Sequence, residues 1–346
     1  MVLVGMLHYR KHPEEVKKAY ACAAVAKMME VDFVFFTPSS VNFEEQRIQG
    51  YIFEKGSWIK KEMGFPDVIY NASPMKTVSQ KKIYRKLKKT IPFTSHSIGN
   101  KMKVFRKIEN VPEFSHYLIP SKKVYEFKDI LDAIQEFNKV VVKPLSGNHG
   151  EMVMFIERTL DQYDLIEGEN HEIVDEEGLY SKISTLMTNK ALLVQPYILC
   201  KTKDGYPYDF RIHVQKGGTG EWGITLIYPR IGSKDGIISN VSKGGFIAKL
   251  GSFLDREFGH EGFDIQKTLE QFAIRFSEKF DEMYNRPLDE LGIDVGIDAN
   301  KKLWIYEVNW RPGYVYRELD AAMRLIPYAT YLAQKMKMNI NEQPES

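Results

Sequence analysis

Two alternating stretches near the C-terminal end constrain the fold more than any other part of the chain. Leu291-Gly292-Ile293-Asp294-Val295-Gly296-Ile297-Asp298 and Leu303-Trp304-Ile305-Tyr306-Glu307-Val308-Asn309 flank the polar Ala299-Asn300-Lys301-Lys302. A period of two on both sides of a polar break predicts a β-hairpin. If Asp298 and Leu303 close a four-residue loop, Asp294 faces Glu307, and Asn309, two residues on, shares their side of the sheet. Two carboxylates set opposite each other repel, so a cation belongs between them. Carboxylate and amide oxygens suit Mg²⁺ or Mn²⁺ rather than zinc, and so few protein ligands leave phosphates and water to complete the shell. The hairpin therefore reads as a platform for a metal-bound nucleotide. An isolated Asp/Glu pair is more often the wet face of an amphipathic hairpin. What favours the site is Trp310-Arg311-Pro312-Gly313, a cation and a forced turn just past the carboxylates.

Composition narrows the class. With 346 residues, 43% hydrophobic and 27% charged, the chain can bury a large core and divide into two or three units. A net charge of +2 gives no reason to expect nucleic acid as a partner. The one basic run, Lys81 to Lys89, reads as the wet face of a helix. Only Cys22 and Cys200 occur, which fits a reducing, cytoplasmic setting and argues against a disulfide framework or a thiolate metal site. Met1 to His8 reads as a buried first strand and not as a signal peptide. No stretch is apolar for long enough to span a membrane.

The opening is β-α-β: a strand over Val2 to Leu7, a helix over Pro13 to Glu30, and a strand over Val31 to Thr37. Short strands then surround Lys55-Gly56, and another covers Pro66 to Asn71. A small parallel sheet is expected, without the glycine-rich turn that a dinucleotide would need. A second unit begins near Gly99, with helices over Phe127 to Phe137 and Glu177 to Thr188. Its strands cover Ser121 to Tyr125, Lys139 to Pro144, Met152 to Glu157 and Leu192 to Ile198, the last with a proline in its middle. The segment from Asp161 to Asp175 reads as a hairpin. Beyond it come an antiparallel pair, Tyr208 to Gln215 and Trp222 to Pro229, a helix over Asp264 to Tyr284, the metal hairpin, and a closing helix over Leu319 to Met336. The last residues, from Asn341, read as frayed.

Several residues carry candidate chemistry. Lys143 ends an apolar strand, and Gly147-Asn148-His149-Gly150 follows it, a loop whose backbone N–H groups can turn toward a phosphate. It is no Walker A loop, because a strand follows it, and taken singly it is equally well a plain tight turn. Lys101, just past a glycine, can supply a second cation, although a lone lysine there is more often simply exposed. In Gln195-Pro196-Tyr197-Ile198 the proline marks an edge or crossover that can offer free backbone groups to an adenine, with Tyr197 and Ile198 as apolar contacts. Arg211 shares one strand face with Asp209 and His213, and its planar fork suits a phosphoryl group. Asn240 and Lys243-Gly244-Gly245 form another anion-binding corner. Arg230 is expected in a structural ion pair.

The order of these pieces resembles the ATP-grasp superfamily of carboxylate-amine ligases. Asp209-Phe210-Arg211-Ile212-His213-Val214-Gln215, Ile238-Ser239-Asn240-Val241-Ser242-Lys243-Gly244-Gly245 and Tyr306-Glu307-Val308-Asn309-Trp310-Arg311-Pro312-Gly313 are most similar to its YheC/YheD group, named as endospore coat-associated proteins. The resemblance implies an α/β (α+β) fold in which two α+β subdomains, 98–194 and 195–338, clasp a nucleotide. A small α/β domain, 1–97, precedes them, and 339–346 forms a tail. By the same resemblance Lys101 and Lys143 hold the α- and β-phosphates, with Gly147, His149 and Gly150 covering them. Gln195, Pro196, Tyr197 and Ile198 form the hinge over adenine, with Asn240 also on the nucleotide. Asp294, Glu307 and Asn309 match the metal ligands. Arg211, Arg311 and Lys243 match groups that act on the phosphate or acylphosphate. Trp310-Arg311 stands where many relatives have small residues, a departure that bears on the acceptor pocket.

The implied reaction is ATP- and Mg²⁺-dependent. Transfer of the γ-phosphoryl group to a carboxylate makes an acylphosphate, an amine attacks it, and ADP and phosphate leave. The carboxylate and amine, small molecules or a peptide tail, are not readable from the sequence. Coat proteins as partners and a role in sporulation come from the family name alone. Two alternatives stay open: a kinase using Asp209 or His213 as base, and an inactive coat protein that has kept a nucleotide fold.

Overall fold

The computed structural model describes residues 1–145, 152–168, 170–233, 245–313 and 316–341, and three sheets form among them. The first contains β1 (Leu3–Leu7), β2 (Asp32–Asn42), β3 (Arg47–Glu54), β4 (Ser57–Gly64), β5 (Val68–Asn71) and β6 (Phe93–Thr94), in the order β4-β3-β2-β1-β5-β6. β1 pairs in parallel with β2 and β5, as the β-α-β opening implies, while β2, β3 and β4 run antiparallel. Both faces of this sheet are covered, so β1 divides its side chains between two cores: Val4 and Met6 enter one, Leu7 the other.

The first helix is shorter than its sequence pattern suggests. Pro13–Glu15 makes a single 3-10 turn, the β-branched Val16 adopts an extended conformation, and α1 (Lys17–Met28) starts only after it. α2 (Val78–Thr90) opens on a capping box between Thr77 and Gln80. Only its Leu87 is buried, so the basic run is a wet face as expected.

The second sheet follows α3 (Lys101–Glu109) and α4 (Pro112–Ser115). It comprises β7 (Lys122–Val124), β8 (Lys139–Pro144), β9 (Met154–Thr159), β10 (Gln162–Glu167), β11 (Asn170–Val174) and β12 (Leu192–Pro196), ordered β11-β10-β9-β8-β12-β7. α5 (Phe127–Phe137) and α6 (Glu176–Asn189) pack on one face, against Val140, Val142 and Val194. Period-two alternation then turns Val141 and Lys143 of β8 to the opposite face. Pro196 lies at the end of β12 and not in its middle, because proline cannot donate the next ladder bond.

The third sheet carries β13 (Tyr208–Lys216), β14 (Trp222–Ile231), β15 (Phe246–Ile247), β16 (Glu290–Ile297) and β17 (Leu303–Asn309), in the order β15-β14-β13-β16-β17. α7 (Leu250–Phe258) and α8 (Gly262–Glu282) cover its apolar face. Phe272, Phe276 and Phe280, spaced by four on α8, stack with successive centroids 5.2 Å apart over a core that includes Phe210, Ile212, Ile293 and Val295. Each such phenylalanine contributes about 1.5–3 kcal/mol by burial. The polar face of the sheet is left for chemistry.

α9 (Glu318–Asn341) crosses back. Its Ala322, Leu325, Ile326 and Ala329 enter the core of the first sheet beside Ala19, Cys22 and Ala26 of α1, small side chains that let the two helices approach closely. The helix continues to Asn341, five residues past the expected stop at Met336.

Candidate active site

The hairpin forms with Asp294 opposite Glu307, but by a different route from the one its pattern suggests. Ile297 pairs with Leu303, which makes the loop one residue longer, and Tyr306 bulges out between Ile305 and Glu307 to restore the register. The bulged tyrosine leans over Gly296, where a Cβ would fall 2.1 Å from its hydroxyl, and that hydroxyl lies 2.9 Å from Cys200 Sγ. Asp298 stays in the turn, accepting from the Asn300 and Lys302 N–H groups and from Trp304 Nε1.

Four strands bring charge together on the polar face of the third sheet. Arg211 of β13 sits between Tyr228 of β14 and Asp294 of β16, and Asp294 sits next to Glu307 of β17. The Arg211 fork grips Asp294 with two bonds, Nε to Oδ1 and Nη2 to Oδ2, the latter 3.1 Å. Arg230, expected in an ion pair, makes one with Asp209, Nε to Oδ1 at 2.7 Å, and also reaches Asp294 at 3.2 Å. Burial alone would raise the Asp294 pKa; Arg211 and Arg230 outweigh it and hold the carboxyl below its usual range.

The other half of the site is more open. Glu307 is about one-third exposed, and Lys101 Nζ approaches it at 3.7 Å. Lys143 reaches across from the second sheet: burial and the neighbouring Lys101 lower its pKa to about 8, with Glu307 opposing them. Lys101 from α3, Lys143 from β8 and Glu307 from β17 thus converge on the cleft between two sheets.

The members of the expected metal trio share a face but differ in their partners. Both Asp294 oxygens are occupied by guanidinium groups, whereas Glu307 and Asn309 remain on the open side. Among the described residues, no three His, Cys, Asp or Glu side chains gather to hold a metal ion. An oxygen-only pair of carboxylate and amide fits a hard divalent cation that draws most of its ligands from phosphates and water.

At the hinge, Gln195 is buried and accepts from Ser121 Oγ at 3.4 Å. The backbone is less free than expected: Pro196 has no N–H, and the Tyr197 N–H is spent on Lys139 O at 2.9 Å. The Tyr197 ring packs edge-on against Phe155, and Ile198 rests on the main core. Gly147, His149, Gly150, Asn240 and Lys243 lie outside the described residues.

Arg311 turns away from Asp294 and toward the first sheet. It lies over the Trp310 ring at 3.9 Å, and burial, countered by Tyr70, Tyr84 and Glu290, depresses its pKa. Its Nη1 is buried and has no hydrogen-bond partner among the described residues. The next residue, Pro312, packs on Gly292, where a Cβ would come within 2.5 Å of it.

A buried polar seam that the sequence analysis missed joins the first and third sheets. Lys18 Nζ donates to Tyr70 at 2.6 Å and lies 3.9 Å from Glu290, which His213 Nε2 meets at 3.0 Å. Asp289 accepts from the Ser95 N–H and hydroxyl, and burial with the Glu290 charge pushes its pKa up to about 7. The partners come from opposite ends of the chain, Ser95 and Asp289 being 194 residues apart and Lys18 and Glu290 farther still, so only the adjacent Asp289-Glu290 pair could have drawn notice. With Asp209 bound to Arg230 and His213 held by Glu290, neither is placed as a free base.

Comparison with known proteins now decides the family. The family model described as YheC/D like ATP-grasp matches residues 90–332. The chain belongs to the YheC/D-like ATP-grasp family. The endospore coat-associated protein YheD of Bacillus subtilis is 26% identical over 320 residues, covering 87% of this chain and 70% of YheD. YheC of the same organism is 23% identical over 333 residues, covering 90% and 89%. Among solved structures, the D-alanine-D-alanine ligase of Coxiella burnetii has a TM-score of 0.53 at 11% identity, covering 99% of this chain and 98% of that one. The D-cycloserine synthetase DcsG has a TM-score of 0.55 at 11% identity, covering 96% and 99%. Such structural likeness shows the ATP-grasp fold, on which ATP-dependent ligases are built.

Proposed function

We propose that this YheC/D-like ATP-grasp protein is an ATP- and Mg²⁺-dependent carboxylate-amine ligase that releases ADP and phosphate. The meeting of Lys101 and Lys143 with Glu307 across the cleft carries the reading. Lys143 from one wall, facing Lys101 and the open Glu307 carboxylate on the other, suits a triphosphate bridged to the protein by a divalent cation. Glu307 and Asn309 would hold that cation, which supplies charge neutralisation at the transferring phosphoryl group.

Each side chain has a task. Lys101 and Lys143 balance phosphate charge, and Lys143, drawn from water, offers a strong point interaction. Asp294 fixes the Arg211 plane, and the guanidinium edge not engaged in that pair faces developing negative charge on a carboxylate becoming an acylphosphate. The hinge from Gln195 to Ile198 packs an apolar edge against the base. A kinase is disfavoured because Asp209 and His213 are already engaged. Coat association, as in the names of YheD and YheC, is proposed for its biological setting.

The test is to incubate the protein with ATP, Mg²⁺ and amino-acid pools while following nucleotide products and new masses. ADP, phosphate and a condensed product are expected. AMP and pyrophosphate, or phosphorylated product without condensation, would overturn the reading.

A further inference from the structure

Helix α3 presents three faces. Val104, Phe105 and Ile108 enter the main core, while Lys101 in its first turn reaches Glu307. Lys103, Arg106 and Lys107, spaced by three and four, face a cavity of about 660 Å³ bounded on its far side by Lys123, Tyr125 and Leu145. Among the described residues, four cations line this cavity and no carboxylate does. Lys103 and Arg106 are exposed, and neither makes an ion pair among the described residues. Lys107 donates to Met283 O and lies over Tyr284, and Lys123 lies 4.4 Å from the centre of the Tyr125 ring.

A concave surface carrying one sign of charge focuses its field and lowers the energy of an incoming polyanion. The only acid of α3, Glu109, is not among the lining residues. The volume is in the range of pockets for small ligands and is too small for a folded partner. Tyr125, 70% exposed, and Leu145 place apolar surface beside the cations, suited to the methylenes of an acidic side chain.

We propose that this cavity binds an acidic stretch, two or three neighbouring Asp or Glu side chains, of a peptide whose carboxylate the enzyme activates. The inference rests on the ligase reading for the peptide's role as acceptor. Lys101 and Lys103 lie about half a turn apart on α3, so a peptide crossing its first turn meets the catalytic cleft and the cavity within a few residues.

The test uses the full chain and a fluorescent tetra-glutamate peptide, followed by anisotropy at low salt. Tetra-glutamine, inorganic phosphate and a short single-stranded oligonucleotide serve as competitors. The labelled peptide is expected to bind saturably and to resist tetra-glutamine. The double variant Lys103→Glu/Arg106→Glu should weaken it by on the order of tenfold or more, while the thermal shift with MgATP stays as in the parent protein. Both residues are exposed, so folding is not at stake. Absence of peptide binding, an unchanged affinity in the double variant, or stronger binding of phosphate or oligonucleotide through the same residues overturns the proposal. Peptide binding without any MgATP response sinks the ligase reading and upholds the cavity as an acidic-peptide site.

Discussion

The two carboxylates of the β16–β17 hairpin, Asp294 and Glu307, face each other across a strand pair and live in different worlds. Asp294 is buried and saturated by Arg211 and Arg230, whereas Glu307 is open, with Lys101 paired to it and Lys143 nearby. A charge removed from water must be matched inside the protein, and its partners then depend on it for their own burial. An open charge has no such dependents and remains available to a ligand. The inner half of this polar face is sealed, and the outer half is open.

The sharpest way to break this contrast is Asp294→Ala. It would strand the buried Arg211 guanidinium and leave Arg230 with Asp209 alone, with an expected loss of about 3–5 kcal/mol of stability. Denaturant unfolding measures it, and a variant as stable as the parent would show that Asp294 is not a keystone of the fold. Glu307→Gln should behave in the opposite way. Its stability should change by less than about 1 kcal/mol, since only a long, partly exposed ion pair is lost. Its affinity for MgATP, read by thermal shift or calorimetry, should fall by about tenfold or more, near 1.4 kcal/mol. Undiminished affinity would remove Glu307 from the site.

The smallest effect concerns pH. With the Lys143 pKa near 8, the free protein loses that positive charge as pH rises through 8. MgATP affinity should then decline a few-fold between about pH 7 and pH 9. The stability sign runs the other way. A lysine whose pKa is depressed on folding leaves the unfolded chain binding more protons between 8 and its ordinary value, so Lys143 adds stability as pH rises through that window. Lys143→Met should flatten the decline in affinity, and a parent protein with pH-independent binding would contradict the assignment.

Much of the architecture was legible because local patterns and packing agree. Alternation along Tyr208 to Gln215 and around the β16–β17 hairpin, the helix read over Asp264 to Tyr284, and the apolar run before Lys143 all appear in the tertiary structure as their patterns imply. The opposition of Asp294 and Glu307 was legible too, although the loop and the bulge were not. A one-residue loop change and a one-residue bulge cancel, and no periodicity reveals a pair of errors that compensate. The split of the first helix at Val16 was hidden for a related reason, since one extended residue barely disturbs a helical pattern.

Residue types and spacing by themselves set Asp294, Glu307 and Asn309 on one hairpin face and Arg211 on the polar face of its own strand; that the two strands are neighbours came from the fold. Tertiary structure alone decided how they divide the work. Whether a carboxylate is sealed by arginine or left open depends on strands, such as the one bearing Arg230, brought alongside from distant parts of the chain. The seam of Lys18, Tyr70, Glu290 and His213 and the cavity beside α3 arise in the same way, from packing between units far apart in sequence. Burial sets the strength of a charge, and burial is a property of the assembled fold.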